Sequence, residues 1–280
     1  MKVRIKFQKR GALRFIGHLD LMRFFQKVMR RAEIPMAYSG GFNPHMIMSF
    51  ASPLGIGITS DGEYLDIQLT APISSAEAVK RMNEVLVEGI EIISFRQIAE
   101  EKKMTGMSIL AAADYRCQAG SLLSEVLHAS ARKDLAKSKE RLTKALEKTL
   151  LYNQPKSIVD IADLTIDTDL LWQEKWAQFM ALAEILVIKQ TKRSEQEVDI
   201  KPMIYRCNPG RKGEVFLQLA AGSVENLKPN LVVKAFCEYH QLPITDTSFS
   251  YHRLEMYANI GDRGERQLVS LESLGEEINC

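Results

Sequence analysis

The sequence has no apolar run approaching the roughly 20 residues that cross a bilayer, no Cys-x-x-Cys pair and no charged-then-apolar block at its start. Met1-Lys2-Val3-Arg4-Ile5-Lys6-Phe7 alternates from the first residues, so it reads as a strand and not as a signal peptide. Four scattered cysteines, Cys117, Cys207, Cys237 and Cys280, speak against a disulfide framework, a zinc centre or an iron–sulfur cluster. There is no Gly-Lys-Ser/Thr phosphate loop, no glycine fingerprint opening a helix and no His-Glu-x-x-His, so no cofactor or metal is expected. These absences, with 46% hydrophobic and 26% charged residues, describe a reduced, cytoplasmic globular protein without a membrane segment. Its 280 residues suit two medium domains better than one.

Charge is present but unevenly placed. Residues 1–31 carry ten Lys or Arg against one acidic residue, Asp20, a net of +9. The remainder carries 27 basic and 34 acidic residues, a net of −7. A basic N-terminal face on a near-neutral chain suggests a polyanionic partner. The plain alternative is a solvated basic surface.

Residues 1–98 parse as β-α-β-β-α-β. Val3, Ile5 and Phe7 alternate with Lys2, Arg4 and Lys6. Helical spacing over 18–32 puts Leu19, Met22, Phe25 or Gln26, and Met29 on one side. Ile34-Pro35 ends that helix. A short strand over 46–50, a hairpin-type turn at Asp61-Gly62 and an alternating strand over 63–69 follow. A serine-capped helix, stopped by Gly89, and a strand over 90–98 complete the unit. This is the split pattern of a ferredoxin-like fold. Its open sheet face would show Lys2, Arg4 and Lys6 beside Tyr64, Asp66 and Gln68, a basic face with one aromatic of the kind that holds single-stranded RNA.

The rest repeats that order less cleanly. Residues 99–113 read as a linker, 114–258 as a second ferredoxin-like domain and 259–280 as a polar tail. Within the second domain the sequence predicts strands over 114–119, 185–191, 214–220 and 249–258, and helices over 132–152 and 228–241. Residues 153–184 do not fit the repeat and read as an insertion. The predicted fold is α+β, a duplicated ferredoxin-like unit.

Two polar clusters lie at turns of the first unit. His18 stands at a helix start behind Gly17, with Arg14, Asp20 and Arg23 near it in sequence. Free N–H groups there would suit a phosphate or carboxylate, or His18 and Asp20 could simply cap the helix. Tyr38, Asn43 and His45 flank the loop Gly40-Gly41-Phe42-Asn43-Pro44-His45, which could admit a ligand to the backbone or serve as an ordinary turn. The candidate binding residues are thus Arg4, Arg14, His18, Asp20, Arg23, Tyr38, Asn43, His45, Tyr64 and Asp66. His18 and His45 could alternatively work as acid and base in RNA cleavage. Tyr251-His252-Arg253 in the last strand reads as a charged edge or a further contact.

Three motifs carry a family resemblance. Phe15-Ile16-Gly17-His18-Leu19-Asp20-Leu21-Met22-Arg23, Gly41-Phe42-Asn43-Pro44-His45 and Glu63-Tyr64-Leu65-Asp66-Ile67 resemble the bacterial radical-SAM-linked proteins, as does Glu197-Val198-Asp199-Ile200-Lys201-Pro202. Gly17, Gly40 and Met46 depart from the family's usual residues. The resemblance implies a radical SAM protein of cobalamin-binding type as partner. It also implies a gene neighbourhood with ribonuclease G and ribosomal proteins, hence rRNA or tRNA as substrate. The chain has no Cys-x-x-x-Cys-x-x-Cys, so it is not itself the radical enzyme. At the level of fold, the duplicated unit also resembles CRISPR repeat-processing ribonucleases of the RAMP class. The expectation is a non-catalytic, RNA-binding accessory subunit. The alternatives are an RNA-cleaving enzyme using His18 and His45, and a subunit that binds an anion or small molecule.

Overall fold

The computed structural model describes residues 1–121, 167–190, 195–245, 247–261 and 265–279, with residues 123, 125, 126, 129, 137, 140, 141 and 144 between the first two segments. Most of the helix expected over 132–152, the beginning of the insertion expected over 153–184, and Cys280 lie outside them.

Strand β1 (Lys2–Lys9) forms because Val3, Ile5 and Phe7 alternate inward, and all three are fully buried. Helix α1 (His18–Arg31) buries Leu21, Phe25, Val28 and Met29, a spacing of four, three and one that keeps one face to the core. The expected face is therefore rotated. Leu19 is 70% exposed, because Leu21 and not Leu19 lies above Phe25, and Phe25 meets Phe7 at a 4.7 Å ring separation. Burying each such aromatic contributes about 1.5–3 kcal/mol.

Strands β2 (Met48–Phe50), β3 (Thr59–Gln68) and β4 (Ile90–Ile98) join β1 in the order β4-β1-β3-β2, every pair antiparallel. Helix α2 (Ser75–Val85) starts where Ser74 accepts a hydrogen bond from the Glu77 N–H. It ends at Val85, before the expected Gly89. Gly89 instead turns the chain at φ +96°, where a Cβ would stand 2.8 Å from the Arg10 carbonyl oxygen.

Asp61-Gly62 is not a hairpin turn but lies inside β3. A Cβ on Gly62 would stand 2.8 Å from the Leu254 carbonyl oxygen, so the glycine is there for the close approach of a neighbouring strand.

The expected linker is structured. It holds a 3₁₀ turn (Lys102–Met104), the short helix α3 (Gly106–Ile109) and the start of β5 (Leu110–Ala119). Helix α4 (Thr168–Met180) falls where an insertion was expected, yet Trp172, Trp176 and Phe179 bury their rings in the second core. The strand expected over 185–191 is half of a separate hairpin, β6 (Leu186–Gln190) with β7 (Glu195–Asp199). The main sheet takes β8 (Ile204–Pro209) in its place, beside β9 (Glu214–Ala220). Helix α5 (Pro229–Tyr239) and β10 (Phe249–Asn259) follow. The order is β10-β5-β9-β8, again antiparallel.

The two groups of strands form one mixed ten-stranded sheet. They meet where β3 and β10 run parallel, through Thr59 beside His252 and Ser60 beside Arg253. The expected polar tail also joins this sheet. Strand β11 (Leu268–Ser270) pairs with β10, and β12 (Glu276–Glu277) pairs with β4 at the far edge. Between them Leu271 is fully buried, which is what anchors a segment that reads as polar.

Candidate functional site

The sheet face expected to be open and basic is closed. Arg4 is 2% exposed. Its Nε and Nη2 donate to the two carboxylate oxygens of Asp66 at 2.8 and 3.0 Å, while Nη1 and Nη2 donate to the carbonyls of Leu271 and Met104. Asp66 also accepts from the Gly106 N–H at 2.6 Å. Lys6 bridges Glu255 and Glu272 at 2.7 and 2.8 Å, and Tyr64 donates to Glu255 at 2.6 Å. Lys2 donates to the Glu100 carbonyl. Arg4, Tyr64 and Asp66 therefore do not present to a ligand. The turn after β4 and the end of the chain cover them, and the cations serve as anchors. Burial works against the charge of Lys6, but Glu255 and Glu272 outweigh it and hold the ammonium above its ordinary pKa. Burial likewise pushes Glu272 up, but Lys6, Ser94 and Arg96 more than offset it and hold the carboxyl below the usual range.

The helix-start cluster is at the surface. Gly17 is the N-cap of α1 and no side chain caps it. Arg14 is exposed, and its carbonyl accepts from the Gly57 N–H at 2.8 Å, drawing the 55–58 loop against this corner. His18 is half-buried, edge-on to Phe50 at 5.2 Å. Asp20 and Arg23 pair with each other at 3.3 Å and stay exposed. The second cluster is a small hairpin closed by the Tyr38–Met46 bridge. Ser39 Oγ contacts His45 Nδ1 at 2.8 Å and accepts from the His45 N–H, while Tyr38, Phe42 and Asn43 face solvent. Among the described residues no hydrogen bond, ion pair or ring contact joins Arg14, His18 or Asp20 to Tyr38, Asn43 or His45. Their contacts form two local networks.

A third group lies at the β3–β10 junction, where the sequence offers Tyr251-His252-Arg253 as a charged edge or a further contact but not its partners on β3. Glu63, 2% exposed, receives the Arg253 Nη1 at 3.1 Å. Burial raises the Glu63 carboxyl above its ordinary pKa despite the Arg253 and Lys9 charges beside it. Arg253, 4% exposed, also reaches Tyr115 and stacks its guanidinium 5.6 Å from that ring. Lys9 is buried beside the pair, and burial lowers its pKa. His252 joins Thr59 through Nδ1 at 2.7 Å and stands 2.9 Å from Asp61 through Nε2. Glu63 and Arg253 each sit in a stretch that reads as alternating strand. The signal that could have found them is a charge at an inward position on both.

Fold and site together define an α+β protein built on a continuous sheet with charged networks at its seams. A family model described as "Uncharacterized protein conserved in bacteria (DUF2344)" matches residues 2–229, from the first residue of β1 to the first of α5. The chain belongs to that family. No curated protein matches the chain. Among the described residues no helix is long and apolar enough to cross a membrane.

Proposed function

We propose that the chain is an RNA-binding accessory subunit that grips the RNA backbone with α1 and its approach, not with the sheet. The observation that carries this reading is a division among the N-terminal cations. Arg4, Lys6 and Lys9 are committed inside the fold, whereas Arg14, Arg23, Lys27, Arg30 and Arg31 are all exposed. Phe42 is fully exposed at the tip of the hairpin that follows, where it offers a base a stacking surface. The duplicated ferredoxin-like reading is supported by the equivalent strand orders β4-β1-β3-β2 and β10-β5-β9-β8. The radical SAM partner rests on the motif resemblance. Exposed Phe15, Leu19 and Ile56 around the start of α1 would suit a protein contact.

The test is an electrophoretic shift titration of the whole chain with bulk rRNA and tRNA across a salt series. Each phosphate contact should steepen the salt dependence by about 0.7 in slope for single strands. Arg23→Glu with Lys27→Glu should lower affinity uniformly across sequences. Wild-type affinity in that variant, or no RNA bound at low salt, overturns the reading. RNA cleavage by the wild type that disappears in a His18→Ala, His45→Ala double variant would favour the ribonuclease instead.

A further inference from the structure

A cavity of about 320 Å³ opens at the junction of the two halves of the sheet. The 52–58 loop forms one wall, the start of α5 the other, and Arg253 and Tyr115 line it from β10 and β5. The volume lies at the lower end of small-ligand pockets, roughly 300–1,000 Å³. Among the described residues no carboxylate lines it, in a chain with 35 acidic residues.

The charges around the cavity are out of balance. Arg253 and Lys9 are buried beside a single carboxylate, Glu63. Arg253 commits Nη1 to Glu63, while among the described residues its Nη2 has the Pro53 carbonyl alone, at 3.5 Å, the outer limit for a hydrogen bond. Across the cavity Lys228 is the N-cap of α5, with no ion-pair partner among the described residues. A cation there opposes the helix dipole, whose N-terminal end is itself positive. The first turn of α5 supplies no acidic residue to relieve it, and no side chain caps it. A buried guanidinium held at Nη2 by one long bond, an exposed ammonium with no ion-pair partner among the described residues and a positive helix end thus converge on one space. Asn226 and Asn230 add amides, and Ile56 and Tyr251 add apolar surface.

We propose that this cavity binds a phosphorylated nucleoside, with the phosphate between Lys228, Arg253 and the first turn of α5 and the ring system against Ile56 and Tyr251. A phosphomonoester carries about −1.5 to −2 charges at neutral pH, which matches the excess of cations. The inference stands apart from the RNA reading for α1, and its source could be a free mononucleotide or the 5′ end of an RNA.

The experiment is calorimetric titration of the full chain with adenosine 5′-monophosphate, adenosine and inorganic phosphate, then with a short RNA carrying a 5′-phosphate or a 5′-hydroxyl. The monophosphate should bind and adenosine should not. Lys228→Glu should weaken binding about tenfold or more, as expected for losing a charged hydrogen bond. Ile56→Asp, at a position 69% exposed and so harmless to the fold, should weaken it similarly. Lys228→Arg should retain it, and Lys80→Glu, on the distant α2, should change nothing. Preference for the 5′-phosphate RNA over the mononucleotide, lost in Lys228→Glu, assigns the site to RNA ends; the reverse preference assigns it to free nucleotides. Equal affinity of wild type and Lys228→Glu, equal affinity for adenosine and its monophosphate, or no binding of any probe overturns the proposal.

Discussion

Replacing Arg4 with methionine should cost the protein much of its stability without touching a binding surface. The side chain is 2% exposed and makes two hydrogen bonds to Asp66 and two to backbone carbonyls. Removing it leaves a carboxylate that is 8% exposed with, among the described residues, the Gly106 N–H as its remaining partner. Breaking one side of a buried pair costs about 3–5 kcal/mol, because the remaining charge stays desolvated. Against a total of about 5–15 kcal/mol, that is a large fraction. At about 2–4 °C per kcal/mol for a chain of this order, Tm should fall by roughly 6–20 °C. Arg4→Met with Asp66→Leu should recover part of the loss, since the orphaned charge is gone while the Met104 and Leu271 carbonyls lose the Arg4 donors and the Gly106 N–H loses its carboxylate. Urea denaturation followed by circular dichroism of the wild type and the three variants gives the cycle. An Arg4→Met variant within about 0.5 kcal/mol of wild type, the range of ordinary surface changes, would refute the reasoning and return Arg4 to the list of RNA contacts.

Acid should release the end of the chain before it unfolds the rest. The folded Glu272 carboxyl lies below its ordinary value, so its contribution is present above that value and is lost as pH falls through the folded pKa. Lys6 works in the opposite sense, contributing below the ordinary lysine range and losing its effect as pH rises through the raised folded value. Limited proteolysis of residues 265–279 between pH 3 and 7, expected to be faster on the acid side in the wild type and less pH-dependent in Lys6→Met, where Ser94 and Arg96 still hold Glu272, checks the carboxyl; the same assay on the alkaline side of the ordinary lysine range, where release should quicken again, checks the ammonium. The thiols should be inert: burial pushes Cys207 and Cys237 up to about 12 and Cys117 higher still. Peptide mapping after brief alkylation of the native protein at pH 8 should find those three unmodified, and rapid labelling of any of them would contradict the packing.

The sequence is clearest where one element settles its own fate. Val3, Ile5 and Phe7 against Lys2, Arg4 and Lys6 announce a strand, and the 214–220 strand lies where alternation puts it. It is opaque where two distant segments must be weighed together. Gly62 looks like a turn residue until β10 lies across it. Arg4 looks like an RNA contact until Leu271, far along the chain, supplies the acceptor that buries it. The second-half error has the same origin. The 185–191 strand and the 204–209 strand are both short and apolar enough, and only the partnership with β9 decides which enters the sheet. Helix α4 hides because its Trp and Phe residues, at 172, 176 and 179, follow an acidic, threonine-rich stretch that breaks the repeat. Of the candidate residues, exposure at Arg14, Arg23, Tyr38, Asn43 and His45 agrees with a surface role, whereas inward charges such as Glu63 and Arg253 require a structure to be seen as a pair.

The bond from Arg4 to the Leu271 carbonyl spans 267 residues, and this separation sets a clock on synthesis. At about 5–20 residues per second on the ribosome, the guanidinium emerges roughly 13–50 seconds before its acceptor exists. Through that interval Lys6 also waits for both Glu255 and Glu272. Asp66 and Met104 reach Arg4 early, but the nascent N-terminal half still carries Lys6 without its carboxylates, and Arg4 one acceptor short, on a half-built sheet beside a polyanionic ribosome. It can close that face only after the last strands arrive to claim it.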